Sequence, residues 1–246
     1  MKPNRQLIAV LAGLVFIPAL APAVTTITSL PYAITAPGVY ELQSNLTVNG
    51  SYSIEVAASD VTINLNGFTI TQTDVGNGTG VSAPNANNLT VLNGTISGFE
   101  YGIYINSQSI VQDVQLFNNR YGVYIAGDNS QIIGCLIVGT GPAGNGLSVY
   151  GGGDGILVKD TQVSQFSTGI DSKSQSGSAF IHNYVASSTT GLQLGSNDTY
   201  QGNVVTNCTT PFVGGISVGT ENGGSKTVSG QPTGNEPPLQ GPIPLN

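Results

Sequence analysis

The sequence predicts an all-β protein built as a stacked solenoid, and three observations carry that prediction. First, a glycine followed by an aliphatic, a polar and usually another aliphatic residue recurs at Gly80, Gly102, Gly122, Gly146, Gly169, Gly191 and Gly215, at spacings of 22, 20, 24, 23, 22 and 24 residues. A period in this range marks a repeat in which each unit buries its apolar face only against its neighbours. Second, segments such as Ile54-Glu55-Val56 and Val61 to Leu65 alternate apolar and polar residues, the pattern of a strand with one buried face. Third, 34 of the 246 residues are glycine and only 8% are charged, against about 25% in ordinary soluble domains. With no three-residue glycine period, collagen is excluded, and a turn-rich β protein fits.

Taken in order, residues 1–23 read as a secretory signal peptide. Lys2 and Arg5 precede the apolar run Leu7 to Ile17, and Ala21-Pro22-Ala23 has the small-x-small form that precedes cleavage. The run is short of the ~20 apolar residues of a membrane span, so no span is expected once the signal is removed. Residues 24–52 read as an N-terminal entry or cap segment, with turn signals at Leu30-Pro31 and Pro37-Gly38. From 53 to 220 the repeat governs, in about eight coils of ~22 residues. A second register of corner residues follows it: Asn66, Asn93, Asp113, Gly134, Asp160, Asn183 and Asn203. Asn, Asp and Gly tolerate the left-handed backbone of a tight corner. Aliphatics such as Ile70, Ile96, Leu136 and Val163 follow these corners and are expected inside. Residues 221–246, rich in Gly, Pro, Ser and Gln, read as a disordered tail.

Removing Lys2 and Arg5 leaves four basic residues against 13 acidic ones, a net charge of −9. So acidic a chain repels phosphate backbones, which excludes nucleic acid as a partner, and it disfavours a polyuronate unless a metal ion intervenes. Cys135 and Cys208 fall three coils apart, ~14 Å at strand spacing. That exceeds the about 7 Å that a disulfide allows, so two free, buried thiols are expected.

The ~22-residue period, the Asn corners and the Gly-aliphatic-x-aliphatic strand resemble the right-handed parallel β-helix, or pectin-lyase-like, superfamily over Val39 to Val218. The resemblance implies a single-stranded right-handed solenoid. It does not fix function, because one fold hosts many chemistries. The catalytic motifs of the enzyme members are missing. There is no Asp-Asp pair, no His-Gly and no Arg-x-Lys, and Tyr101-Gly102-Ile103 continues with Tyr104 rather than Asp-Pro-His. Gly151 to Gly155 resembles one copy of a calcium-binding glycine-aspartate repeat, which needs several stacked copies to hold an ion; a loop is expected.

Two constellations remain. Lys159, Asp171 and His182 supply a cation, an acid and a base, and Lys159 and His182 are expected at one outward position on neighbouring coils. They are the catalytic candidates for proton abstraction beside a uronate, against a solvated surface. The second constellation is aromatic. Tyr104 and Tyr124 are expected to project outward and stack, with Tyr101 and Tyr121 at the strand entry and Glu100 and Arg120 paired beside them. These six residues are the ligand-binding candidates, a platform for a sugar ring, against a self-stacking ladder that needs no ligand. Beyond them the column is expected to run through Ser148, Asp171, Gln193 and Ser217.

The expectation is therefore a secreted (extracellular or periplasmic), non-catalytic β-helix that contacts carbohydrate or a cell-surface partner through its outer wall. It has no metal site and no cofactor. The alternative is a divergent polysaccharide-active enzyme (lyase, hydrolase or epimerase), for which calcium is the cofactor to consider.

Overall fold

The computed structural model describes residues 23–150, 153–173 and 177–219, together with the backbone of Gly223–Gly224. The expected signal peptide (but for Ala23), the tail (but for that glycine pair) and the first two glycines of the Gly151–Gly155 loop lie outside the described residues. Every described element is a strand.

Each coil crosses three parallel sheets. In one coil these strands are Val61–Asn64, Thr69–Gln72 and Thr79–Ser82. The third sheet has nine strands in strict sequence order, from Tyr32–Ile34 to Thr210–Val213, enclosing eight intervals. The first and second sheets merge into one 17-stranded layer, because Leu89–Ser97 and Ile110–Phe117 run through the corner as continuous strands. The fold is thus the parallel β-helix that the repeat predicts. Its hand is the right-handed one that twisted parallel strands adopt. The segment 24–52 already pairs in this register, with Val24 beside Val39, Leu46 beside Ile70 and Tyr32 beside Ile54.

Alternation builds the core. Along the first sheet Ile63, Val91, Val111, Ile132, Val158 and Phe180 are stacked partners, all fully buried. The second sheet stacks Ile70, Ile96, Leu116, Ile137, Val163, Val185 and Val205. In that column Ile137 takes the buried position expected for Leu136, which is half-buried on the outer face. The third sheet stacks Ile54, Val81, Ile103, Val123, Leu147, Ile170 and Leu192.

The repeat glycines are needed for close approach. A Cβ on Gly102 would lie 2.7 Å from the Gly122 carbonyl oxygen, and one on Gly146 would lie 2.7 Å from that of Gly169. The seventh expected position, Gly215, is not in this column. Thr190 pairs with Thr210, so Pro211 follows Gly191 after a 20-residue coil. A side chain is tolerated there because the third sheet ends at that strand.

The corner register also departs from expectation in the last coils. Asn66, Asn93, Asp113, Gly134 and Asp160 hold the left-handed corner, followed by His182 and Gly202 rather than Asn183 and Asn203. Those two asparagines sit one residue on, fully inside. The Asn183 amide donates to Val158 O at 3.0 Å and to Asn203 Oδ1 at 3.0 Å, while its own Oδ1 accepts from Thr161 N at 3.0 Å. They are internal bracing rather than corner geometry. A third corner is braced by Asp198, whose carboxylate accepts from Ser178 N, Ser172 Oγ and Gly195 N at 3.0, 2.8 and 2.9 Å. Among the described residues no buried side-chain polar atom lacks a partner, as water-excluded polar groups require.

Candidate functional site

The third sheet places the tyrosines. In Tyr101–Ile105 the buried Ile103 and Ile105 fix the strand, and alternation sends Tyr104 outward, while Tyr101 stands at the strand entry, where the chain leaves the corner and alternation does not yet govern it. The same holds one coil on, and Tyr101 pairs with Tyr121 and Tyr104 with Tyr124. The Tyr101 and Tyr121 rings stack at 4.9 Å and 12°. Tyr104 and Tyr124 meet edge to face at 4.9 Å, and Tyr101 and Tyr124 at 5.4 Å. Offset and edge contacts of this kind contribute about 0.5–1.5 kcal/mol each beyond area burial. Arg120 pairs with Glu100 at 3.5 Å and lies over the Tyr121 ring at 5.5 Å.

A ring missing from the sequence reading joins them. Tyr150, 61% exposed, sits just past the Asn145–Val149 strand with its ring 5.9 Å from that of Tyr124. Its only sequence signal is an aromatic immediately before a glycine run.

The outward columns change size abruptly, and that change makes a site. Tyr124 is followed in register by Ser148, then Asp171, Gln193 and Val213. Val213 stands where Ser217 was expected, because the shortened last coil shifts the register. Where the rings stop, the wall steps inward and leaves a notch of about 310 Å³. Tyr101, Tyr121, Tyr124 and Tyr150 form one side, Asn145 and Ser148 the floor, and Asp171 and Lys173 the far side. Asn145 and Ser148 have no sequence signal of their own; they matter because of what stands next to them.

Burial pushes the Tyr124 phenol up to about 12, with the neighbouring tyrosines adding to the effect. Burial and then Glu100 raise Tyr101. At neutral pH these phenols therefore keep their protons. Asp171 is held on both oxygens: Oδ2 accepts from Asn145 Nδ2 at 3.1 Å and pairs with Lys173 at 3.5 Å, and Oδ1 accepts from Lys173 N at 3.3 Å.

The other catalytic candidates are elsewhere. Lys159 lies on the first sheet and is in register with Ile181, not His182. His182 occupies the left-handed corner next to Asp160, with its Nδ1 3.9 Å from Asp160 Oδ1. Lys159 also pairs with Asp160, at 3.5 Å. The expected alignment of Lys159 with His182 fails by one residue, for the same reason that Asn183 left the corner. Asp171, on the third sheet, is on a different wall from both.

Metal donors are sparse. The sequence has one histidine and two cysteines, and the described residues contain no group of three or more His, Cys, Asp or Glu able to hold an ion. Cys135 and Cys208 are both free and buried, at different corners of the coil. Burial pushes the Cys135 thiol up to about 11 and raises that of Cys208, which disfavours the thiolate that binds metals.

A family model described as "Periplasmic copper-binding protein (NosD)" matches residues 39–228, more than three quarters of the chain. No curated protein matches it.

Proposed function

The chain belongs to the NosD family, and from that premise we propose that it is a periplasmic, non-catalytic β-helix that contacts a glycan through the tyrosine notch of its third sheet. The single observation behind this reading is the notch itself. Four ring faces and edges stand opposite an amide, a hydroxyl and an ammonium across about 310 Å³. A pyranose ring has the complementary make-up, an apolar C–H face for the aromatics and hydroxyls for the polar side. A periplasmic location agrees with the signal-like N-terminus, and among the described residues no helix is long and apolar enough to cross a membrane.

Two properties argue against chemistry at the notch. Its one carboxylate is engaged on both oxygens, and the remaining cation and base lie off the third sheet, Lys159 on the first sheet and His182 at the corner that follows it. The copper in the family's description does not fit the donors among the described residues. Copper favours imidazole, thiolate and thioether ligands, whereas here the one histidine is exposed with a carboxylate, Asp160, beside it and both thiols are buried. No step is assigned to it.

The test is a titration of the secreted form with a panel of neutral and acidic polysaccharides, read by calorimetry and by tyrosine fluorescence, which is undisturbed because the chain has no tryptophan. Binding that falls at least tenfold in Tyr104→Ala plus Tyr124→Ala supports the reading. Binding untouched by that pair refutes it. New reducing or unsaturated ends in the same mixtures would establish the enzyme alternative instead.

A further inference from the structure

We infer that the notch selects an electrically neutral oligosaccharide, and that the Asp171–Lys173 pair is the device that turns uronates away. The inference rests on the glycan reading above and adds the charge and length of the ligand.

Length follows from the coils. The notch runs from Tyr101 past Tyr124 and Ser148 to Asp171, four successive strands of the third sheet. That is three strand spacings, about 14 Å along the helix axis, longer than one sugar ring. The site therefore reads a short stretch of chain, and the aromatic and polar halves touch different parts of it.

Charge follows from the ion pairs. Two cations and two carboxylates border the tyrosines, and each cation is closed on a carboxylate: Arg120 with Glu100 at 3.5 Å and Lys173 with Asp171 at 3.5 Å. The site is thus neutral within a chain whose formal charge is −7. Asp171 has a side chain only 14% exposed and is anchored by Asn145, so it does not swing away to release the lysine. The Lys173 ammonium, with three protons and 56% of its side chain exposed, still donates to hydroxyl or acetal oxygens. A ligand carboxylate reaching the same ammonium meets the fixed Asp171 charge beside it, and like charges at that range repel. Hydroxyls are accepted; carboxylates are penalised.

The experiment compares a neutral hexose oligosaccharide with a hexuronate oligosaccharide of equal length, on the whole secreted protein, at low and high salt. Wild type is expected to bind the neutral chain more tightly. Asp171→Asn keeps one oxygen, which serves Asn145 or Lys173 N but not both, and frees the ammonium charge, so the neutral-over-uronate affinity ratio falls on the order of fivefold at low salt. Screening at high salt removes that change. Lys173→Gln leaves Asp171 unbalanced, and the ratio rises. Equal or tighter uronate binding by wild type overturns the selectivity while leaving the glycan site standing. A ratio unmoved in both variants overturns the role of the pair. Binding of neither oligosaccharide removes the glycan reading and this inference together.

Discussion

Replacing Gly102 by alanine tests the principle that sets the whole wall. The backbone of Gly102 is not in the left-handed region, so alanine meets no conformational barrier there, and the cost is one of space. The new Cβ would stand 2.7 Å from the Gly122 carbonyl oxygen and 2.9 Å from both Asn119 Nδ2 and Leu116 Cδ2, where ordinary contact begins near 3.4 Å. Leu116 can rotate, but the carbonyl oxygen belongs to the next coil and cannot. Relief needs that coil to move several tenths of an ångström against its ladder hydrogen bonds, and overpacking of this kind costs about 1–3 kcal/mol. Asn119 cannot yield freely either. Its amide donates to Ile96 O at 3.0 Å and accepts from Phe99 N at 2.9 Å, and weakening such bonds adds about 0.5–1.5 kcal/mol. The expected loss is about 2–4 kcal/mol, a large share of the roughly 5–15 kcal/mol that holds a typical domain. Urea unfolding followed by far-UV circular dichroism and by tyrosine fluorescence measures it. Gly50→Ala is the control, since nothing lies within 4 Å of its added Cβ. A Gly102→Ala loss within about 0.5 kcal/mol of that control, the spread of ordinary surface changes, would refute the close-approach argument.

Two further perturbations probe the bracing and the site. Asn183→Ala strips partners from Thr161 N and Val158 O inside the corner, and two buried groups at about 1–3 kcal/mol each give an expected loss of about 2–6 kcal/mol in the same urea assay; Lys159→Ala, on the exposed wall beyond, is expected to be silent. The Tyr124 phenol, held at about 12 against an ordinary 10, stabilises the fold below pH 10, and that contribution is lost as pH rises from 10 toward 12, because the unfolded chain releases the proton first. Phenolate absorbance should show a late-titrating group that disappears in Tyr124→Phe; a titration unchanged by that substitution would count against its burial.

Much of this molecule was legible in its sequence. Alternation and a ~22-residue period suffice for a parallel β-helix, because a strand's side-chain period is two and a coil that cannot bury its own face must stack. Membership of the outward tyrosine columns was legible for the same reason: Tyr101 over Tyr121 and Tyr104 over Tyr124 need only the glycine register. Register is also where the sequence ran out. Coil lengths vary, and one inserted or missing residue moves a side chain to the other face. That is why His182 took the corner expected of Asn183, why Lys159 met Ile181, and why Val213 replaced Ser217 in the column. Only the tertiary structure decided that the wall has a notch. Its floor, Asn145 and Ser148, is defined by absence of bulk beside Tyr124, and Tyr150 enters from beyond the strand. Such a recess is a difference in size between neighbouring coils some twenty residues apart, and it exists only once they are stacked a few ångströms from each other.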